Sequence, residues 1–243
     1  MNNTKYALII PFYNKGVDRE RNLKAILNYY LKYNEFYDIL VIEDKSNTNL
    51  NDFKNIKHIK ITSNKKYFTR GHCINYAIKH NVYVGYIVVD SDVIIDSNIL
   101  INIKDIIGDN FNSYIIPYKL DNFFNLSQQE TIEFVKYQKN YDGEQRKIVL
   151  PGSGAFIISR DSYYKIGGFN KKLCGFGGDD NELSCKAKKL LNIIYLNYNI
   201  YHLNHKKNFE NYKHNKKLYK YVCKLNKDDL IKYLKNKNNN YLL

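Results

Sequence analysis

The sequence predicts an α/β fold with a mostly parallel central sheet flanked by helices. Up to Asp90 the chain alternates strand, helix, strand, strand, helix, strand, and the strands are near-continuous apolar runs. That pattern belongs to open sheets covered on both faces. Three of the strands also stop on polar clusters, PFYN, EDKSN and DSD. Such sheets bind ligands beyond the carboxyl ends of their strands, so the clusters are expected to line one edge.

Tyr6–Pro11 reads as a buried strand stopped by its proline, and FYNKG as a loop. Leu23, Ile26, Leu27, Tyr30 and Leu31 recur at helical spacing and give an amphipathic helix over Asp18–Tyr33. Strands follow over Tyr37–Ile42, ending on Glu43 and Asp44, and over Ile56–Thr62. Arg70–His80 is a helix with Ile74, Ala77 and Ile78 inward, and Tyr83–Val89 is the strand that runs into Asp90. The second half is less regular. Helices are expected over Ile99–Ile107 and Gln128–Lys139, and a short strand over Tyr114–Pro117. A further helix starts at Asn181, with Leu183 and Ala187 on one side, and one or two strands fall within Ile193–Leu203. Beyond residue 206 lies a lysine- and asparagine-rich, helical extension.

The 243 residues suffice for one sizeable domain or two small ones. A formal net charge of +14 favours anionic partners. The lysines are dispersed and no zinc, RRM or KH pattern is present, so nucleic acid is not the expected partner. The basic extension has two readings, a solvated helical face or a peripheral contact with an anionic membrane. Cys73, Cys174, Cys185 and Cys223 match no zinc or disulfide framework and read as reduced thiols. YALIIP is too short for a signal peptide and no apolar run is long enough to span a bilayer, so the expected location is the cytoplasm or a membrane surface.

VVDSDVII carries the first chemical signal. Asp is a poor strand residue, and two close carboxylates repel unless a positive charge lies between them. Strand alternation would put Asp90 and Asp92 on one side, within reach of one cation. Hard oxygen ligands suit Mg²⁺ or Mn²⁺, and a histidine from YHLNHKKN, His202 or His205, would tilt the choice to Mn²⁺. GFGGDDNEL is the second signal. Asp179 or Asp180 can be a simple helix cap. Alternatively the glycines let a substrate approach an acid at a pocket floor.

Taken in order, the motifs make the chain resemble a GT-A glycosyltransferase of the family 2 type, with a C-terminal half similar to the β-1,4-galactosyltransferases. YALIIPFYN resembles the first strand and nucleotide loop, and VIEDKSN the V-V-D-D-x-S segment. YFTRGHCINYAI resembles F-N-R-A-x-x-L-N-x-G, and VVDSD is the D-x-D strand. GSGAFIISRDSYYKIGGFN, GFGGDDNEL and HLNHKKN follow as the glycine segment, the G-W-G-G-E-D-D-D segment and the late metal-ligand segment. The agreement runs over roughly residues 5–208.

The resemblance implies a single Rossmann-like GT-A domain over 1–208, with a nucleotide-binding half (1–95) and an acceptor-binding half (96–208), followed by the extension 209–243. It implies that Asp92 binds the metal directly, with Asp90 near the ribose or the metal's waters, and that His205, joined by His202, completes the site. Pro11, Tyr13, Asn14 and Ser91 would lie at the nucleotide, Glu43 and Asp44 at the uracil or ribose, and Arg70 against the donor. Asp180 aligns with the catalytic base and Asp179 with an acceptor-contacting acid, beside Phe176, Gly177 and Gly178. The implied activity is metal-dependent, inverting transfer of a hexose or N-acetylhexosamine from a UDP-sugar to a glycan, glycolipid or protein hydroxyl. Phe176 replaces the tryptophan of G-W-G-G, and Glu43 the first acid of V-V-D-D. The rivals are a sugar nucleotidyltransferase, whose glycine-rich basic loop FYNKGVDRE does not match, and a non-catalytic relative that binds glycan or nucleotide.

Overall fold

A computed structural model of the chain describes residues 6–108, 110–137, 144–145, 154–206 and 209–236. The far end of the helix expected over Gln128–Lys139, Gly152 and Ser153 of the glycine segment, Lys207 and Asn208 of HLNHKKN, and residues 237–243 of the extension lie outside these.

The first half is β1 (Tyr6–Phe12), α1 (Val17–Tyr30) with a 3-10 turn over Leu31–Tyr33, β2 (Asp38–Asp44), β3 (Ile56–Ile61), α2 (Arg70–His80) and β4 (Gly85–Val89). β3, β2, β1 and β4 lie side by side and are all parallel. Pro11 does not stop β1. Its pairing continues with β2, while the pairing of β1 with β4 has already ended at Ile9, so the missing N–H interrupts only one side of the ladder.

The second half continues the same sheet, which has nine strands among the described residues. It holds β5 (Val93–Ile95), α3 (Ser97–Ile101), α4 (Ile103–Gly108), β6 (Ser113–Asn125), α5 (Gln128–Tyr137), β7 (Glu144–Gln145), β8 (Ala155–Ser159), α6 (Arg160–Lys165), α7 (Asp179–Leu190), β9 (Asn192–His202), α8 (Tyr212–Lys224) and α9 (Lys227–Lys235). Beyond β4 the order is β8, β6, β9, β5, with β7 on β6. β6 and β9 pair in parallel, whereas β8 runs antiparallel to both its neighbours and β5 antiparallel to β9. β6 is far longer than Tyr114–Pro117, because register shifts carry the strand past Pro117 and rejoin β9 at Phe123. β5 and β8 are buried throughout and carry no alternation that would mark them in the sequence.

One apolar core runs under the whole sheet, and a small satellite of Val222, Leu230 and Leu234 joins α8 to α9. Cys185 on α7 and Cys223 on α8 form a disulfide, contrary to the reading of all four cysteines as thiols. The two helices face each other, and that tertiary pairing left no trace in the spacing. Cys73 and Cys174 are free. Among the described residues no helix is long and apolar enough to cross a membrane.

Candidate functional site

The loop after β4 does not continue as a strand. Val93 N–H donates to Asp90 O at 3.1 Å, and residues 90–92 form a turn. The alternation expected for Asp90 and Asp92 therefore fails, and the two acids serve different partners.

Asp92 is brought to the histidines by strand register. Val93 opposes His202 in the β5–β9 pair, and Leu203 N–H donates to the Asp92 carbonyl at 2.8 Å. His202 Nε2 then lies 3.6 Å from Asp92 Oδ1, and His205 Nε2 3.1 Å from Oδ2. One ligand atom from each of the three falls within a 4.8 Å cluster. Burial pushes the Asp92 pKa up, but His202, the His205 hydrogen bond and the Arg19 guanidinium outweigh it and hold the carboxyl well below its usual range. Asp92 is thus an ionised, buried acid between two imidazoles, a donor set that fits Mn²⁺. Asp90 is not part of the cluster, which corrects its expected place as a ligand beside Asp92.

The segment that carries the histidines is strapped to the first turns of α1. Asp18 Oδ2 accepts from Lys206 N–H at 2.8 Å, and Asn22 Nδ2 donates to Asn204 O at 3.0 Å. Thr131 Oγ1 on α5 accepts from Asn204 N–H at 2.8 Å. His202 and His205 also border a polar cavity of about 280 Å³ with Asn125, Ser127, Glu130 and Asn204.

Asp90 turns instead to Arg70, the first residue of α2, whose Nε bonds it directly. Arg70 Nη1 also meets Asp180 Oδ1 at 2.7 Å and Asp179 Oδ2 at 3.7 Å. Arg70 was expected to face the donor. The structure places it among three carboxylates, with its guanidinium over the Phe169 ring at 5.5 Å. Burial raises the pKa of Asp180; Arg70 opposes this, while Asp179 and Asp90 add to it, and the net shift is upward. Asp90 is raised as well, first by burial.

This cluster is held by the Gly167–Asn170 turn. Asn75 on α2 accepts from Phe169 N–H and donates to Phe169 O, and Tyr163 donates to Asn75. A Cβ on Gly71 would come within 2.6 Å of Phe169 Cβ, so glycine after Arg70 is what lets the ring sit under the guanidinium. From α7, Lys186 donates to Gly168 O and Glu182 accepts from Asn170. Burial pushes the Lys186 amine down to about 8.

The strand-end acids of β2 are spoken for. The Glu43 carboxylate accepts from Ser46, Thr48 and His58. Asp44 accepts from Ser63 N–H and Oγ. Both are fully buried, so they shape the loops around the strand ends and do not present free carboxylates. Asn14 joins the same network through Ser46, Thr48 and Glu20. Pro11 is buried at the end of β1, Tyr13 stacks on Phe68 at 5.6 Å, and Ser91 is buried in the turn.

Around Phe176 the glycines serve the chain itself. Gly175, Gly177 and Gly178 all have positive φ, and a Cβ on Gly175 would lie 2.6 Å from Glu210 O. One on Gly178 would lie 2.9 Å from Tyr219 on α8. They therefore admit α8 and the segment before it, where substrate approach was expected. Asn215 on α8 donates to the carbonyls of Cys174 and Phe176. α7 begins at Asp179 rather than Asn181, so both acids sit in its first turn, where the helix dipole favours negative charge. Phe176 is exposed and meets Phe209 and Tyr212 in an aromatic cluster.

Sequence reasoning missed Arg19, Asp18, Asn22, Phe209 and Tyr212. Arg19 bonds Asp92 Oδ2 at 2.5 Å. No spacing rule links the start of α1 to a turn more than seventy residues later.

Solved structures show which class of protein has this architecture: the fold is that of the GT-A glycosyltransferases. S. aureus TarS residues 1–349 in complex with UDP-GlcNAc is similar at a TM-score of 0.63 and 14% identity, over 95% of this chain and 70% of that one. GalNAc-T7 with UDP, GalNAc and Mn2+ is similar at a TM-score of 0.61 and 15% identity, over 95% of this chain and 50% of that one. More particularly, residues 132–215, which include α7, both histidines and the start of α8, match the family described as the N-terminal domain of galactosyltransferase. Comparison with curated protein sequences finds no match.

Proposed function

We propose that the chain is a metal-dependent, inverting glycosyltransferase that moves a hexose or N-acetylhexosamine from a UDP-sugar to an acceptor hydroxyl. The observation that carries this reading is the meeting of two clusters at one sheet edge. Asp92, His202 and His205 can hold a divalent cation, and one turn away Asp90 is tied through Arg70 to Asp179 and Asp180. The TarS structure holds UDP-GlcNAc and the GalNAc-T7 structure holds UDP, GalNAc and Mn2+, which supports a UDP-sugar donor.

A bound cation supplies charge neutralisation for the departing diphosphate. This chain's residues supply the rest. Asp180 takes the acceptor hydroxyl proton as the new glycosidic bond forms and the sugar–phosphate bond breaks. Burial raises its pKa toward the range where a carboxylate is an effective base. Arg70 holds Asp180 and Asp90 at fixed separation, and Asp179 lies beside the base for the acceptor. Tyr13 on Phe68, next to Asn14 and its network through Ser46 and Thr48 to the buried Glu43, forms a wall for the nucleotide base. Phe176 offers an apolar face to the acceptor sugar. The acceptor is a glycan, glycolipid or protein.

The test is binding and transfer across a panel of UDP-sugars, with and without Mn²⁺, on wild type, Asp92→Asn and Asp180→Asn. Asp92→Asn is expected to lose Mn²⁺-dependent donor binding. Asp180→Asn is expected to bind donor normally and lose transfer by about a hundredfold or more. Wild-type transfer by Asp180→Asn, or no UDP-sugar bound by the folded protein, refutes the reading.

A further inference from the structure

Arg19 is a charged side chain that the proposed reaction does not use. It leaves the first turn of α1, crosses to the turn after β4, and places Nη1 2.5 Å from Asp92 Oδ2. This is the same oxygen that faces His205 Nε2. About a quarter of the Arg19 side chain is exposed, while Asp92 is almost fully buried. A guanidinium at that distance satisfies the carboxylate and repels any second cation that approaches it. The helix that carries Arg19 is also the one that grips the histidine-bearing segment, through Asp18 and Asn22.

We propose that Arg19 is a placeholder for the divalent cation: it neutralises Asp92 in the metal-free protein and is displaced when the cation arrives. The inference rests on the metal reading of Asp92, His202 and His205. Among the described residues Arg19 is the one arginine or lysine paired with Asp92, and without it the buried carboxylate would face two imidazoles. Arg19 therefore stabilises the metal-free state and opposes cation binding, two effects that linkage ties together. Its α1 position lets the guanidinium swing outward without moving the strapped segment, since the straps run through Asp18 and Asn22.

The two effects have opposite signs and are measured separately. Mn²⁺ alone is titrated into the full chain, with free Mn²⁺ followed by electron paramagnetic resonance, for wild type, Arg19→Gln, Arg19→Lys and Asp92→Asn. Unfolding of each metal-free protein is recorded in parallel. Arg19→Gln is expected to bind Mn²⁺ about tenfold more tightly while its metal-free form unfolds more easily. Arg19→Lys keeps the charge and is expected to stay close to wild type. A residue that merely braced the loop would weaken Mn²⁺ binding when removed. Unchanged or weaker binding by Arg19→Gln, with binding lost in Asp92→Asn, overturns the exchange alone. Mn²⁺ binding retained in Asp92→Asn, or absent from both wild type and Arg19→Gln, sinks the metal site and the exchange with it.

Discussion

Arg70→Met is the substitution whose cost the structure specifies best. One guanidinium stands against Asp90, Asp179 and Asp180, and the four side chains are 12–29% exposed. Methionine keeps an apolar side chain of similar reach and removes the charge with its hydrogen-bond donors to Asp90 and Asp180. Taking one partner from a buried ion pair costs about 3–5 kcal/mol, and the partial exposure of the acids argues for the lower end, about 3 kcal/mol. The cost depends on pH with a definite sign. The native pKa of Asp180 already lies above its unfolded value because of burial, so the stability it contributes is present at low pH and is lost as pH rises through the native pKa. Arg70 limits that loss, because it lowers the same pKa. Removing it raises the pKa further, so the gap between wild type and variant is expected to widen as pH rises past the wild-type value of about 8. Each extra proton bound by the native variant changes the gap by about 1.4 kcal/mol per pH unit. Urea unfolding at about pH 7 and about pH 9 measures both quantities, with Arg70→Lys as the charge-retaining control. A gap below about 1 kcal/mol, or one equal at the two pH values, would refute the account of Arg70 as the cation that opposes the upward shift of these acids.

Two further substitutions test the packing behind the site. Gly175→Ala combines a positive φ with a Cβ 2.6 Å from the Glu210 carbonyl, and is expected to cost about 2–4 kcal/mol in urea unfolding. Gly108→Ala meets nothing within 4 Å and is expected to be neutral or slightly stabilising; equal effects for the two would show that the contact does not matter. Cys223→Ser opens the disulfide that closes a segment of 38 residues containing β9 and both histidines. It is expected to lower stability by about 2–4 kcal/mol, and reduction of wild type should cost the same. A wild-type unfolding midpoint that ignores reductant counts against the bridge.

Where the chain is periodic, the sequence was readable. β1, β2 and β4 are apolar runs, α2 has its inward face at Ile74, Ala77 and Ile78, and parallel pairing brings the polar strand ends to one edge of the sheet. The Asp92–His202–His205 group was legible too, because the acids after one strand and the two histidines near the end of the last were candidate ligands before the motifs were put in order. What failed did so for local reasons. Alternation was applied to Asp90 and Asp92 although the strand ends at Val89, and a turn sends neighbouring acids to different partners. The acids of β2 looked like ligand contacts because sequence cannot show that Ser46, Thr48, His58 and Ser63 already satisfy them. Arg19 and the Cys185–Cys223 pair depend on contacts between distant elements and leave no pattern at all.

The glycine loop changes how the C-terminal region should be understood. Room for a substrate was one reading of Gly175, Gly177 and Gly178, and residues 209–243 read as a basic, helical extension that follows the domain. The two readings fail or stand together. The space those glycines leave is filled by Glu210, Tyr212 and Tyr219, and Asn215 takes two carbonyls of the loop. The disulfide and the core residue Val222 then fix α8 to α7 and α9. Asp179 and Asp180 stand at the first turn of α7, directly after that loop, so their position against Arg70 depends on α8 being in place. The basic helices are in that sense part of the candidate active site. Their lysines cover the outside, while Asn211, Asn215 and Cys223 work on the inside. Phe209 and Tyr212, at the entry to α8, flank Phe176 on the exposed side, so the region that braces the proposed base also helps form the surface on which an acceptor sugar would rest.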